Sequence, residues 1–183
     1  MIWRITRLDP PGDIPEEVAA TLAMTAPSDG EPPGTIAALT HASQLMAPFL
    51  GWAAALALNG MLPRRDHELL AMRASYNCRS GFEWGEHAAF CRRAGISDDE
   101  IAGIAIGPDA PGWSSHEAAL LRAADELYMT STISDATWSR LADQYDAGQL
   151  VEVVYVVGQY TMLSMVANGL GISGAPDLDP LPS

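Results

Sequence analysis

The sequence predicts a compact all-α domain of about seven helices, and three observations lead to this fold class. A serine followed three residues later by glutamate, the capping-box pattern, begins apolar segments at residues 97 and 114. No segment alternates apolar and polar side chains with the period of two that is typical of a half-buried strand. The final apolar run, residues 150–168, is apolar nearly all round, which indicates a central helix.

The first third of the chain divides at prolines and glycines. Residues 1–34 form an N-terminal arm, with a short helix from Pro15 to about Met24 and a loop over residues 26–34. Residues 35–60 predict two helices that meet near Pro48, and Gly60 ends the second. Pro63 then begins the helix that carries Glu68.

The remaining elements follow one another at short intervals. A helix over residues 80–94 ends at Gly95, which suits a left-handed C-terminal cap. The two capping boxes begin helices that extend to about residues 106 and 128, and Ser134 begins another that extends to residue 145. Asp146 and Gln149 form a variant box before the last helix. Residues 153–157 are β-branched enough for a buried strand, but the long capped run favours helix. The helical domain therefore spans residues 35–172, and residues 173–183 form an extended tail.

Composition excludes several classes of partner. The 183 residues carry a net charge of −13, from 10 basic and 23 acidic side chains, which disfavours polyanionic nucleic acids and anionic membranes. Two cysteines are not a disulfide framework, and if both lay on one helix they would be about 20 Å apart. The N-terminus lacks the apolar core of a secretory signal, and no apolar run of membrane-spanning length is free of charges or helix breakers. These features predict a soluble protein in the reducing cytoplasm.

Reactive side chains concentrate in residues 66–95. Ser80, Glu83, His87 and Cys91 are spaced by three, four and four residues, so a helix places them on one face. Glu83 can therefore contact His87, either as a functional pair or as a solvated surface pair worth about 0.3–0.5 kcal/mol. If the preceding segment is a helix that folds back, Glu68 can approach His87 from a second element.

These residues resemble the carboxymuconolactone decarboxylase family, whose alkylhydroperoxidase D branch shares the fold. The resemblance covers residues 37–172, and the motifs that carry it are Glu68, the Phe82, Glu83 and Trp84 triplet, His87, residues 94–97, Gly107 with Pro108, residues 117–128, and residues 158–160. It implies the all-α alkylhydroperoxidase D-like fold, with subunits joined as trimers or hexamers. The peroxidase branch carries a Cys-x-x-Cys pair before the histidine, and the matching positions here are Ser80 and Glu83. The resemblance therefore points to the branch without this redox pair, in which Cys78 and Cys91 are structural, although a peroxidatic role for one cysteine stays open.

The resemblance also implies the chemistry of the site. His87 would be the general acid, Glu68 its orienting or relaying partner, and Glu83 a group that tunes the pair or holds water, as in a cofactor-free and metal-free decarboxylase acting on a small lactone or carboxylic acid. The candidate substrate-binding residues are Ser80, Arg73, Trp84, Gln159 and Tyr160. An isomerase, dehydratase or hydrolase would need the same acid–base pair. A thiol-dependent hydroperoxide reductase and a non-catalytic binding protein remain as alternatives.

Overall fold

The computed structural model describes residues 4–8, 15–25, 32–174 and 177–183, and over these residues it has the all-α fold that the sequence predicts. The helices are α1 (Glu16–Ala23), α2 (Gly34–Ala37), α3 (Met46–Leu58), α4 (Arg64–Asn77), α5 (Gly81–Arg93), α6 (Asp98–Ile106), α7 (Ser115–Thr130), α8 (Asp135–Ala142) and α9 (Ala147–Leu170). A 3-10 segment, Ala38–Leu45, joins α2 to α3.

The chain forms two compact units, which do not coincide with the three predicted segments. The first comprises Met1–Gly60 and Val166–Leu178, and the second comprises Met61–Met165 and Asp179–Ser183. In the first unit, the short strands β1 (Arg4–Ile5) and β2 (Ile172–Ser173) pair antiparallel. The start of the predicted arm is thus hydrogen-bonded to the residues that follow α9. The second unit contains α4 to α8, most of α9 and all the predicted site residues.

Two predictions for the first unit need correction. The predicted junction near Pro48 is wrong, because Pro48 lies in the first turn of α3, where its missing N–H removes no helical hydrogen bond. The helical path is instead interrupted at Ala42, whose φ of −139° and ψ of 56° are not helical. Of the predicted loop over residues 26–34, residues 26–31 lie outside the described residues, and α2 already begins at Gly34.

Side-chain caps set most helix starts in the second unit. Ser97 and Ser114 each form the predicted reciprocal capping box, with Glu100 and Glu117 respectively. The Asp146 and Gln149 side chains also bond each other's backbone N–H groups, at 2.9 and 3.1 Å. These contacts explain why sequence reading located the starts of α6, α7 and α9 closely.

The predicted central position of α9 is only half correct. One side of the helix is buried, whereas the opposite side exposes Val151, Val154, Tyr155, Met162 and Met165. By length and composition alone α9 could cross a membrane, and among the described helices it is the one that meets this test. Its Glu152 is nevertheless buried and accepts hydrogen bonds from the backbone N–H groups of Met61 and Leu62, as in a core helix.

Gly95 ends α5 in the predicted left-handed conformation. Its φ is +80°, the Gly95 N–H bonds the Arg92 carbonyl, and the Ile96 N–H reaches back to the Cys91 carbonyl. These two hydrogen bonds form a Schellman motif, which satisfies the last carbonyls of the helix. A Cβ at Gly95 would meet no atom within 4 Å, so a side chain there costs backbone strain and not a clash.

We expect Gly95→Ala to lower the free energy of unfolding by about 1 kcal/mol, because alanine disfavours positive φ. Gly51→Ala is the matched control: Gly51 lies inside α3 and also has open space around its Cβ position. There alanine should stabilise by about 0.5–1 kcal/mol through helix propensity. Urea unfolding of both variants measures the difference, and equal effects would contradict the assignment.

Candidate active site

The site is built on the hairpin of α4 and α5. Pro63 precedes α4, and Cys78, Arg79 and Ser80 are the whole connection to α5. Arg79 takes the left-handed conformation, with φ of 54°, and Ser80 caps α5 by accepting a hydrogen bond from the Glu83 N–H at 3.3 Å. Such a short turn makes the two helices antiparallel neighbours. The fold-back that Glu68 needed to reach His87 is therefore present.

Glu68 and His87 form a direct hydrogen bond across the two helices. His87 Nδ1 lies 2.8 Å from Glu68 Oε2, and the side chains are 12% and 0% exposed respectively. The second oxygen, Glu68 Oε1, lies 2.8 Å from Arg64 Nη2 in an ion pair that is not an aligned hydrogen bond. The buried carboxylate is thus held between an imidazole and a guanidinium.

The charge of Glu68 fixes the tautomer of His87. Burial alone would raise the pKa of Glu68, but the hydrogen bond from His87 and the charges of His87 and Arg64 outweigh it, so this pKa is lowered. An ionised carboxylate only accepts hydrogen bonds, so Nδ1 of His87 carries the proton. Nε2 is then the ring atom that is left to exchange a proton with a substrate.

Glu83 is a buried acid of the opposite kind. Glu83 is 3% exposed, and its Oε1 has no hydrogen-bond partner among the described residues. Burial raises the pKa of Glu83 to about 7; the charge of His87 opposes this and that of Glu86 adds to it. The interpretation of Glu83 and His87 as a solvated surface pair is therefore wrong. The first turn of α5 therefore carries a buried carboxyl group that is largely protonated below neutral pH.

Aromatic rings enclose the imidazole of His87. The Tyr160 ring meets it edge-on with centroids 4.5 Å apart, and the Phe90 ring lies at 5.1 Å. The Tyr160 hydroxyl is 3.1 Å from His67 Nε2, and burial lowers the pKa of His67 to about 4, so His67 is neutral. Sequence reasoning missed His67, because its contact is with a residue 93 positions away and its neighbour Glu68 points elsewhere.

Three of the other predicted substrate contacts, Ser80, Trp84 and Arg73, make contacts within the protein. Ser80 is a helix cap, and Trp84 is buried against Tyr76 with ring centroids 5.8 Å apart. The Arg73 guanidinium is committed to both carboxylate oxygens of Asp125 and to the carbonyls of Ile104 and Ala105. Gln159 is buried in α9. Tyr160 contacts His87 directly, whereas Ser80, Trp84, Arg73 and Gln159 stay predicted substrate contacts.

The two cysteines lie on different elements, contrary to the premise that one helix carries both. Cys78 is the C-cap residue of α4 and Cys91 lies in α5, and neither forms a disulfide within the described part of the chain. Burial raises the pKa of Cys91 to about 12 and also raises that of Cys78. Both groups are thus thiols at neutral pH and lack the thiolate that a nucleophilic cysteine needs.

Comparison with known proteins agrees with this fold. Residues 43–126 match the family model described as the carboxymuconolactone decarboxylase family. The chain is similar to an uncharacterised peroxidase-related protein from Silicibacter sp. TM1040, with 17% identity, a TM-score of 0.83, and coverage of 94% of this chain and 93% of the other. None of the curated proteins compared with the chain matches it.

Two further solved structures are similar. An uncharacterised peroxidase-related protein from Ralstonia eutropha JMP134, described as an alkylhydroperoxidase AhpD core, has 17% identity, a TM-score of 0.82, and coverage of 95% and 94% of the two chains. A protein of unknown function from Agrobacterium tumefaciens has 19% identity, a TM-score of 0.67, and coverage of 75% of this chain and 94% of the other. At these identities the likeness shows the fold alone. The chain therefore has the alkylhydroperoxidase D-like fold, and its residues 43–126 match the carboxymuconolactone decarboxylase family.

The raised pKa of Glu83 predicts a distinct pH dependence of stability. Glu83 holds its proton up to about pH 7 in the folded state, whereas in the unfolded chain it releases the proton near pH 4.5. The free energy of unfolding of the wild type therefore falls as the pH rises between these values. Relative to the wild type, Glu83→Gln should therefore gain about 2–3 kcal/mol between pH 4.5 and 7.5.

Urea unfolding across this pH range measures the difference between the variant and the wild type. Glu16→Gln, which removes an exposed carboxyl from α1, is the control and should track the wild type at every pH. Parallel curves for Glu83→Gln and the wild type would show that folding does not raise the pKa of Glu83.

Proposed function

We propose that the protein is a cofactor-free acid–base enzyme that transfers protons on a small lactone or carboxylic acid, as a lyase of the decarboxylase type. The observation that carries this proposal is the 2.8 Å hydrogen bond between Glu68, which is wholly buried, and His87. An imidazole whose Nδ1 is fixed by a carboxylate presents one defined nitrogen for proton transfer.

The proposed reaction follows from the charge states of three side chains. A carboxylate on the substrate leaves as carbon dioxide, and the electron pair of the broken carbon–carbon bond passes into the conjugated lactone carbonyl. The imidazolium of His87, stabilised by the Glu68 carboxylate, delivers its Nε2 proton to the carbon that becomes nucleophilic. The neutral imidazole that remains takes a proton from water before the next turnover. Glu83, largely protonated below neutral pH, donates a hydrogen bond to the developing oxyanion without adding negative charge.

Related proton-transfer reactions use the same groups, so an isomerase, dehydratase or hydrolase is the closest alternative. A thiol-dependent hydroperoxide reductase is less well supported, because Cys91 is fully buried and its pKa is raised to about 12. Peroxide consumption in the presence of a dithiol would favour that class. A non-catalytic binding protein would be favoured if an unbiased metabolite screen gave ligands but no products.

We expect His87→Gln and Glu68→Gln each to lower turnover by about 100-fold or more, because a positioned acid–base group contributes about 10²–10⁴-fold. Turnover is measured by an unbiased metabolite screen that compares the wild type with both variants. His41→Gln, which changes an exposed histidine outside the site, is the matched control and should keep full activity. Activity of both site variants at the wild-type level would end the proposal.

The proposed enzyme is a cytoplasmic homo-oligomer, a trimer or hexamer, without nucleic-acid or membrane partners. Support comes from the exposed stripe of α9, defined by Val151, Val154, Tyr155, Met162 and Met165, which the 3.6-residue repeat places on one side of the helix. These five side chains carry no charge, whereas the chain as a whole carries −13. A second copy of the same uncharged stripe could cover this face without bringing like charges together.

Met162→Glu should therefore dissociate the oligomer, because it would bury a carboxylate in an apolar contact. Met129→Glu is the control, since Met129 is an exposed methionine on α7, away from this stripe. Light scattering gives the mass of each variant in solution. A monomeric wild type, or an unchanged mass for Met162→Glu, would exclude the α9 stripe as the interface.

A further inference from the structure

Two guanidinium groups lie at the ring of Phe90, the residue that packs on His87. The Arg93 Cζ is 4.3 Å from the Phe90 ring centroid, and the Arg64 Cζ is 5.6 Å from it. The Phe90 and His87 centroids are 5.1 Å apart, with their planes at 32°. The distance from the Arg93 Cζ to the imidazole centroid therefore cannot exceed the sum of the Arg93–Phe90 and Phe90–His87 distances. A small organic acid can span this distance.

The charge of Arg93 has no acidic partner among the described residues. Its neighbour Arg92 pairs with Asp98 and Asp179, whereas Arg93 is exposed and has only its contact with Phe90. Glu86, two turns earlier on the same side of α5, does not neutralise it, since burial raises the pKa of Glu86 and Arg93 is not among the charges acting on it. Arg93 is therefore a cation available to a ligand.

The two acidic side chains of the site, Glu68 and Glu83, add little uncompensated negative charge that would repel an anionic ligand. The Glu68 carboxylate is already matched by Arg64 at 2.8 Å, and Glu83 holds its proton up to about pH 7. An incoming anion would therefore meet little uncompensated negative charge from these two acids. The Phe90 ring beside Arg93 offers a flat apolar surface for a carbon skeleton.

We propose that Arg93 forms a carboxylate-binding subsite on the Phe90 side of His87. The ligand class is a small organic acid whose carboxylate pairs with Arg93 while its uncharged part lies on Phe90 and directs the reacting carbon towards His87 Nε2. A guanidinium can bind a carboxylate through two parallel hydrogen bonds, which fixes orientation as well as charge. The subsite rests on the proposed function for its purpose, but its binding property can be measured alone.

The test titrates the full-length protein with acetate, butyrate and hexanoate, and in parallel with the primary amide of each acid. NMR follows the Arg93 Nε–H and the His87 imidazole signals. The carboxylates should shift both signals, more strongly as the chain lengthens over Phe90, and the uncharged amides should not. Arg93→Gln should weaken hexanoate binding about tenfold, and Arg93→Lys should restore part of it by keeping the charge.

Arg79→Gln is the matched control. Arg79 also lies over an aromatic ring, that of Tyr76 at 4.9 Å, and has no acidic partner among the described residues, but it belongs to the turn between α4 and α5. Its loss should leave hexanoate binding unchanged. The proposal is overturned if acids and amides bind alike, if no acid binds, if Arg93→Gln has no effect, or if Arg79→Gln has the same effect.

The subsite and the proposed function fail in different ways. His87→Gln should abolish turnover and keep hexanoate affinity, because the carboxylate contacts Arg93 and not the imidazole. Normal binding in Arg93→Gln together with inactive His87→Gln would remove the subsite and keep the enzyme. Active His87→Gln together with weakened binding in Arg93→Gln would do the reverse.

Discussion

The burial of charged side chains on α4 is the constraint on which the rest of the second unit depends. Residues 66–75 of this helix are all buried, and several of them are ionisable. A buried charge is tolerated only with a partner, so each must find one on a neighbouring element. Glu68 pairs with His87 on α5, Arg73 with Asp125 on α7, and Asp66 accepts from Tyr145, which precedes α9. These partners arrange the surrounding helices around α4.

The same constraint separates the two carboxyl groups of the site. Glu68 has an imidazole and a guanidinium as partners, so it stays ionised despite complete burial. Glu83 is buried without a partner for Oε1, so it retains its proton to about pH 7. Two glutamates on adjacent antiparallel helices thus supply an acceptor and a donor. Environments that push pKa values apart in this way are characteristic of acid–base sites.

The descriptions of the similar solved structures can be compared with the side chains that this chain carries. Two of the solved structures with similar folds are described as peroxidase-related. In this chain Ser80 is a helix cap and Glu83 is a buried acid, at the two positions where the family resemblance would place a redox pair of cysteines. Its own cysteines lie elsewhere and are held as thiols by burial. The fold alone therefore does not decide the reaction.

The sequence by itself determined the features that local interactions control. The capping boxes, the Gly95 cap and the helical spacing of Glu83 and His87 depend on residues within one turn of each other, so the fold class and most helix starts could be predicted. Only the tertiary structure decided which side chains meet across helices. The roles of Arg73 and His67 and the contact of Tyr160 with His87 depend on partners about 30 to 90 residues away, which no spacing rule reveals. The tertiary structure also decided the charge states of Glu68 and Glu83, because their pKa values depend on burial and on partners and not on residue type.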